Sequence, residues 1–403
     1  TCLLLEGLFP LVYALCEEKR DCHYLAFEVL TLWLKKVKEC VTDLWKMTGA
    51  RLLPDDSRLL QQLTHIIWTN AESPIFHLMS SNTTLPSTCT HMTLMVVCVS
   101  VFTQMLHQYT EVSSHLLKCL STNHLSPCGS EFYKCLIQQQ RQELPASLTE
   151  MDLAGRWAKS WQPFLLEALT SEVTLLQTNS STHLLPCTFQ VFSSAVHHLL
   201  ASLNPHRPGH LHAWACILSS YRAISGCSPW DLQGSSTFKT LQLALGSADD
   251  KTRLAALNLL CYSSKTRDIP STEEMKILKE FIPQNLNCES SPFRQHLQAA
   301  LRRFLVRIRD GCLTHIREVK GKKKEDVSHE SRKDLLERGT GFVEWLGQLP
   351  YSFLSPGHSY QRKKTALLLL SAVLETCTDT WSPDKKKGQP PGNPLKWTGA
   401  SFY

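Results

Sequence analysis

Nowhere in the 403 residues do two cysteines form a CxxC pair, although the chain carries 16 of them. Structural zinc sites bring their ligands in closely spaced pairs, so this scatter argues against one. The cysteines sit mostly inside apolar helical patterns, at Cys40, Cys98, Cys119, Cys216, Cys261 and Cys377, and read as reduced, buried thiols rather than a disulfide framework. GxSxG, HExxH and Walker-type loops are also missing. Gly339-Thr340-Gly341 lacks the third glycine that a nucleotide-binding turn wants, and it reads as the start of a helix. With no nucleophile, metal set or cofactor loop in view, the chain is not expected to be an enzyme, and no catalytic residue or cofactor is assigned.

The longest unbroken apolar runs, such as Leu94–Val99, fall far short of the roughly twenty residues that span a bilayer, so no membrane partner is expected. No alternating strand pattern of any length appears. Asn82-Thr83-Thr84 and Asn179-Ser180-Ser181 fit the glycosylation sequon, but nothing else argues for secretion. The chain opens at Thr1 inside an apolar helix and closes soon after a Pro/Gly stretch, and it reads as a portion of something longer.

Against these absences stands an apolar content of 43%, ample for a large core, and a repeat. Leu245, Arg253 and Leu260 are separated by eight and then seven residues; Leu286, Arg294 and Leu301 repeat that spacing, and Leu354, Arg362 and Leu369 repeat it again. Around each arginine a leucine-rich helix ends, a short polar turn follows and a second helix begins. Such hairpins cannot cover both apolar faces alone and are stable only when stacked. The expected fold is therefore all-α, a HEAT/armadillo-like α-solenoid of stacked helical hairpins, with Leu245, Ala256, Leu260, Leu286, Leu301, Leu354 and Leu369 buried along one core. Arg253, Arg294 and Arg362 are expected to be structural repeat positions that bond to the preceding inter-helix turn.

Along the chain, residues 1–235 read as divergent helical-hairpin repeats, 236–310 as HEAT-like repeats, 311–335 as a charged flexible linker, 336–381 as a further hairpin and 382–403 as a Pro/Gly/Lys-rich tail. An apolar segment split by Pro10 is expected over 3–18, helices over 22–47, 57–68 and 93–109 with another starting at Ser73-Pro74, and again around Phe132–Gln140, Leu148–Leu169, Phe189–Leu203 and Leu211–Ala223. Polar loops are expected at Ser121–Ser130 and Leu175–Pro186. His206, His210 and His212 cluster with His197 and His198, which invites a metal. The run from Asn204 to His210 is turn-forming, however, and loop histidines are usually just solvated, so no metal is assigned.

Charge is concentrated. Between Arg294 and Arg338 lie 13 of the 42 Lys/Arg and 7 of the 36 Asp/Glu, which leaves 29 of each elsewhere and puts the whole net charge of +6 in that segment. On the helix from Phe293 to Arg309, Leu297, Ala300, Leu301, Phe304, Leu305 and Ile308 share one side at 100° per residue. Arg302, Arg303, Arg307 and Arg309 fan across the other, beside Lys322, Lys323 and Lys324. A cationic face next to a flexible lysine run suits phosphate binding. It also suits an ordinary solvated face, because base-stacking aromatics are not interleaved there.

Four segments in three regions carry a family resemblance: FPLVYALCEEKRDCHYLAFEVLTLWL near the start; RLAALNLLCYSS and STEEMKILKEFIPQNLNCESSPFRQHLQAALRRFLVRIR in the middle; and SYQRKKTALLLLSAVLE toward the end. They resemble the thyroid adenoma-associated protein family, whose members act as the auxiliary subunit of a tRNA ribose 2'-O-methyltransferase. The resemblance implies a HEAT/armadillo-like scaffold in the cytoplasm and a separate FtsJ-type tRNA 2'-O-methyltransferase as partner, with tRNA as the shared substrate. It places the methyl-donor site on that partner, and no catalytic residue carries over. A HEAT-repeat adaptor that holds proteins together without RNA contact is the competing reading.

Overall fold

The computed structural model describes Leu11 and residues 110–377, apart from 124–125, 233, 235, 264–268 and 322–328. The segment expected over 3–18, Leu11 apart, and the helices expected over 22–47, 57–68, 93–109 and from Ser73 lie outside the described residues, as do Asn82, Lys322 to Lys324 and the tail. Every described element is a helix, and there is no strand among the described residues. The chain divides into two units, Thr1–Leu203 and Asn204–Tyr403.

In the first unit α1 (Thr110–Leu120) and α2 (Ser126–Glu143) form a hairpin, followed by α3 (Glu150–Thr170). Thr149 and Asp152 start α3 with a reciprocal capping box that satisfies two otherwise orphaned N–H groups. The polar loop expected at Leu175–Pro186 is instead helical: α4 (Thr174–Asn179) runs through a π turn, Ser180–Leu184, into α5 (Leu185–Val191). Two of its polar side chains face inward with partners. Asn179 donates to the carbonyl of Leu120 at 2.8 Å, and Gln177 to that of Leu169 at 3.1 Å. Asn179 is buried, so that sequon offers no accessible amide. The second expected loop, Ser121–Ser130, yields its latter half to α2, where Ser130 bonds back to the Pro127 carbonyl at 2.9 Å. The helix expected over Phe189–Leu203 breaks at Phe192, and α6 (Ala195–Ala201) completes the unit.

The second unit contains α7 (His210–Ser225), α8 (Ser236–Leu245), α9 (Asp250–Cys261), α10 (Thr272–Asn285), α11 (Ser291–Gly321), α12 (His329–Phe353) and α13 (Tyr360–Cys377). The pairs α8/α9, α10/α11 and α12/α13 are the three hairpins that the Leu–Arg–Leu spacing announces. Their second helices form a layer in which α7 packs on α9, α9 on α11 and α11 on α13. Polar caps set the starts. Asp249 accepts from the N–H groups of Lys251 and Thr252 at 3.2 and 3.0 Å, and Ser271 with Glu274 forms a capping box. Gly226 closes α7 at φ 67°, in the left-handed region that glycine enters at no steric cost.

Six of the seven expected core positions are buried; Leu354 is half-buried, because it lies beyond the end of α12 in the turn. Two further expectations give way. In place of a linker starting at residue 311, α11 continues to Gly321 and α12 begins at His329. Gly339-Thr340-Gly341 lies inside α12 rather than at its start. A Cβ at Gly339 would stand 3.0 Å from Cys312 Sγ and 3.1 Å from Ile308 Cγ2, so this glycine lets α12 press onto α11.

Candidate nucleic-acid interface

The basic helix α11 is where the sequence put its cationic face. Its neighbours α9, α10, α12 and α13 lie against it, and they consume most of that face. Arg302 pairs with Glu375 of α13. Arg309 donates to the carbonyl of Thr376 at 2.9 Å and to Asp310 at 3.0 Å. Arg303 is exposed. Arg307, placed by the helical wheel on the solvent side, is buried to 3% exposure, so that placement is corrected.

Arg307 belongs to a polar network inside the unit. Its guanidinium lies 3.3 Å from Glu274 Oε1 and donates to the carbonyl of Leu260 at 3.1 Å. Glu274 also accepts from the Trp230 indole at 3.3 Å, and its other oxygen accepts the Ser271 N–H at 2.6 Å. From the opposite side Arg222 of α7 donates to the Leu259 carbonyl at 3.1 Å and rests 5.8 Å from the centre of the Trp230 ring. Leu259 and Leu260 are in the last turn of α9, where helix carbonyls lack intrahelical donors and the dipole is negative. Two guanidinium groups from neighbouring helices therefore cap one helix end, and Arg309 does the same for α13. Arg222, Trp230 and Glu274 were missed in the sequence. The one readable signal was the S-x-x-E box at Ser271–Glu274, which predicts a cap but not a buried counter-charge.

The repeat arginines also act between elements. Arg253 pairs with Asp250, donates to Asn285 Oδ1 at 2.8 Å and lies 4.7 Å above the Phe293 ring, so it ties the first hairpin to the second. Arg294 donates to the carbonyls of Cys288 and Glu289, at 2.7 and 2.8 Å, in the turn just before its helix. Arg362 stands 5.7 Å from the Phe353 ring across its own turn.

The histidines fall in different settings. His197 and His198 are on α6, and His210 and His212 are at the start of α7. Burial holds the His212 imidazole below its ordinary pKa, and its Nε2 lies 3.4 Å from Cys216 Sγ. Among the described residues no three His, Cys, Asp or Glu side chains come together as a metal set. Burial pushes the Cys312 thiol up to about 11 and that of Cys377 up to about 12, so both are protonated at neutral pH. Among the described residues no helix is long and apolar enough to cross a membrane. Chemically, this arrangement offers charge and hydrogen-bond donors, most of them already engaged, around a helical frame.

A family profile described as "Trm732, TPR repeats" matches residues 157–390, more than half of the chain. The chain belongs to this family. Its members' architecture agrees with the all-α solenoid class; the description names TPR repeats where the spacing suggested HEAT/armadillo-like ones, and both are stacked helical hairpins. Among curated proteins the chain is 21% identical over 275 residues to "tRNA (32-2'-O)-methyltransferase regulator THADA" of Gallus gallus, covering 64% of this chain and 14% of the relative. It is 24% identical over 282 residues to the protein of that name from Canis lupus familiaris, covering 66% and 14%. It is 22% identical over 308 residues to the one from Homo sapiens, covering 66% and 15%. The chain thus spans 14–15% of the length of these relatives. No solved structure matches.

Proposed function

We propose that the chain is a non-catalytic, helical-repeat part of a regulator that supports ribose 2'-O-methylation in the tRNA anticodon loop by a separate FtsJ-type methyltransferase. What supports this reading is the family match across 157–390, together with relatives whose name is that of a tRNA (32-2'-O)-methyltransferase regulator. On this reading S-adenosylmethionine binds to the partner, and the cytoplasm, where tRNA is abundant, is the fitting location. Phosphate contact is assigned to the exposed Arg303 and to Lys322, Lys323 and Lys324. Arg302 and Arg309 are secondary contributors, because each already holds a partner on α13.

The test is tRNA affinity at two salt concentrations for the unaltered protein and for a variant with Arg303, Lys322, Lys323 and Lys324 changed to Glu. Removal of each phosphate-binding cation should shallow the salt dependence by roughly one unit of slope and weaken cognate and unrelated tRNAs about equally. Unchanged affinity and slope in a folded variant would remove RNA contact from this segment. A second reading, a protein-only adaptor, is favoured by one observation: Arg302, Arg307 and Arg309 are all committed within the fold. Co-purification of a methyltransferase without tRNA would select it.

A further inference from the structure

The turn between α12 and α13 carries the aromatic rings that the basic face of α11 lacks. Tyr351, in the last turn of α12, is 65% exposed, and Tyr360, which opens α13, is 71% exposed; no other large apolar or aromatic side chain among the described residues is as open. Single exposed apolar side chains are ordinary, but these two flank one turn in the company of cations. From Trp345 to Leu374 there is no Asp or Glu, while Arg362, Lys363 and Lys364 follow one another in the first turn of α13. None of the three pairs with a carboxylate among the described residues. Lys363 holds the turn's shape by donating to the Pro356 carbonyl at 3.3 Å, and Ser359 donates to Asn287 Oδ1 at 3.2 Å, which sets this turn against the one between α10 and α11. That neighbouring turn contributes one acid, Glu289.

Arg362 departs from its counterparts in the other two hairpins. Arg253 donates to Asn285 Oδ1 and Arg294 to two carbonyls of its own turn. At the same register position the Arg362 guanidinium donates to no described residue and its Nε has no acceptor; it stands 5.7 Å from the centre of the Phe353 ring, which packs on His358 at 5.4 Å. Lys364 is exposed, with its amine 5.9 Å from the centre of the Tyr360 ring. Open rings interleaved with cations that have no counter-charge suit a single strand of nucleic acid, because every base has a π face to lay on a ring and the phosphates between bases take the cations. We propose that Tyr351 and Tyr360 stack unpaired bases of an RNA and that Arg362 and Lys364 hold the adjoining phosphates. This rests on the reading of the chain as part of a tRNA methyltransferase regulator, and adds to it a preference for unpaired strand that phosphate contacts at Arg303 and Lys322 to Lys324 cannot supply.

The experiment measures, in the full polypeptide and at two salt concentrations, affinity for a stem-loop RNA with an unpaired loop and for a fully paired RNA duplex of the same length. A Tyr351→Ala, Tyr360→Ala variant should bind the stem-loop about tenfold or more weakly with the salt slope unchanged, since no cation is removed, and should bind the duplex as before. A Tyr351→Phe, Tyr360→Phe variant, which keeps both rings, should bind the stem-loop like the unaltered protein. An Arg362→Gln, Lys364→Gln variant should instead shallow the salt slope for the stem-loop by roughly one unit or more. Unchanged stem-loop affinity in an Ala variant of unaltered helical content overturns the proposal, as does an equal loss for stem-loop and duplex. So does an Ala variant that keeps its RNA affinity but loses a co-purifying protein, which would make the turn a protein contact. If stem-loop binding is lost only when Arg303 and Lys322 to Lys324 are changed to Glu, this inference falls and the proposed function stands; if the unaltered protein binds neither RNA, both fall.

Discussion

The two units of the chain are held together by different chemistry. In the first, aromatic rings and neutral hydroxyls make the core. Trp157 donates its indole N–H to the Tyr133 hydroxyl at 3.2 Å, Tyr133 bonds to Thr188 at 2.9 Å, and Thr188 donates to the Leu184 carbonyl at 2.8 Å. Around this relay Tyr133 packs on Trp161 and Phe164, with ring centres 5.6 and 6.0 Å away, and Trp157 packs on Phe192 at 6.5 Å. In the second unit guanidinium groups do the joining, at Arg222, Arg253, Arg294, Arg307 and Arg309. The contrast shows that net charge measures supply, not availability. The segment with the chain's whole charge surplus spends much of it on its own helix ends.

The largest effect should come from the second unit. Arg307→Ala leaves Glu274 buried without its counter-charge and the Leu260 carbonyl without this donor, and should cost about 3 to 5 kcal/mol in denaturant unfolding. A loss within about 0.5 kcal/mol would mean that the pair is not a structural joint. In the first unit Tyr133→Phe interrupts a neutral relay at its centre, stranding the Trp157 N–H, and should cost about 1 to 3 kcal/mol by the same measurement. If it costs more than Arg307→Ala, the ranking of the two chemistries is reversed.

Smaller effects sharpen the comparison. Arg302 and Glu375 retain 42% and 55% side-chain exposure, so a double-mutant cycle to Ala should return only about 0.2 to 1 kcal/mol of coupling, fading in high salt. The last concerns pH. Burial lowers the His212 pKa in the folded state, so the unfolded chain binds the extra proton first as the medium acidifies. Stability should hold above the ordinary histidine pKa of about 6.5 and decline as pH falls below it. His212→Asn should flatten part of that decline in thermal melts; an identical decline would assign it elsewhere, with His210, whose pKa is also lowered by burial, as the first alternative.

The hairpins were legible because their signal is local: three Leu–Arg–Leu registers each act within one hairpin. Arg307 was misplaced because a helical wheel divides a helix into one buried side and one wet side, which holds for a helix with a single neighbouring layer. With α9, α10, α12 and α13 all against it, α11 has more than one covered side, and Arg302, Arg307 and Arg309 point into seams. Likewise Gly339 looked like punctuation, although it marks a close crossing with residues twenty-seven and thirty-one positions earlier, Cys312 and Ile308. The Leu175–Pro186 stretch looked like a loop because its polar residues were counted without the carbonyls of Leu120 and Leu169 that receive them.

The joint at the end of α9 bears on how such an array can change over evolution. Arg222 lies before the first hairpin, the carbonyls of Leu259 and Leu260 belong to it, and Arg307 and Glu274 belong to the second. Deleting or duplicating one hairpin as a cassette would leave an unmatched guanidinium or carboxylate inside the protein. Copying whole units is thus disfavoured here, and length can change more freely outside the hairpins. Divergent repeats of unequal length, with a shared register and unlike sequences, are the expected record of that constraint.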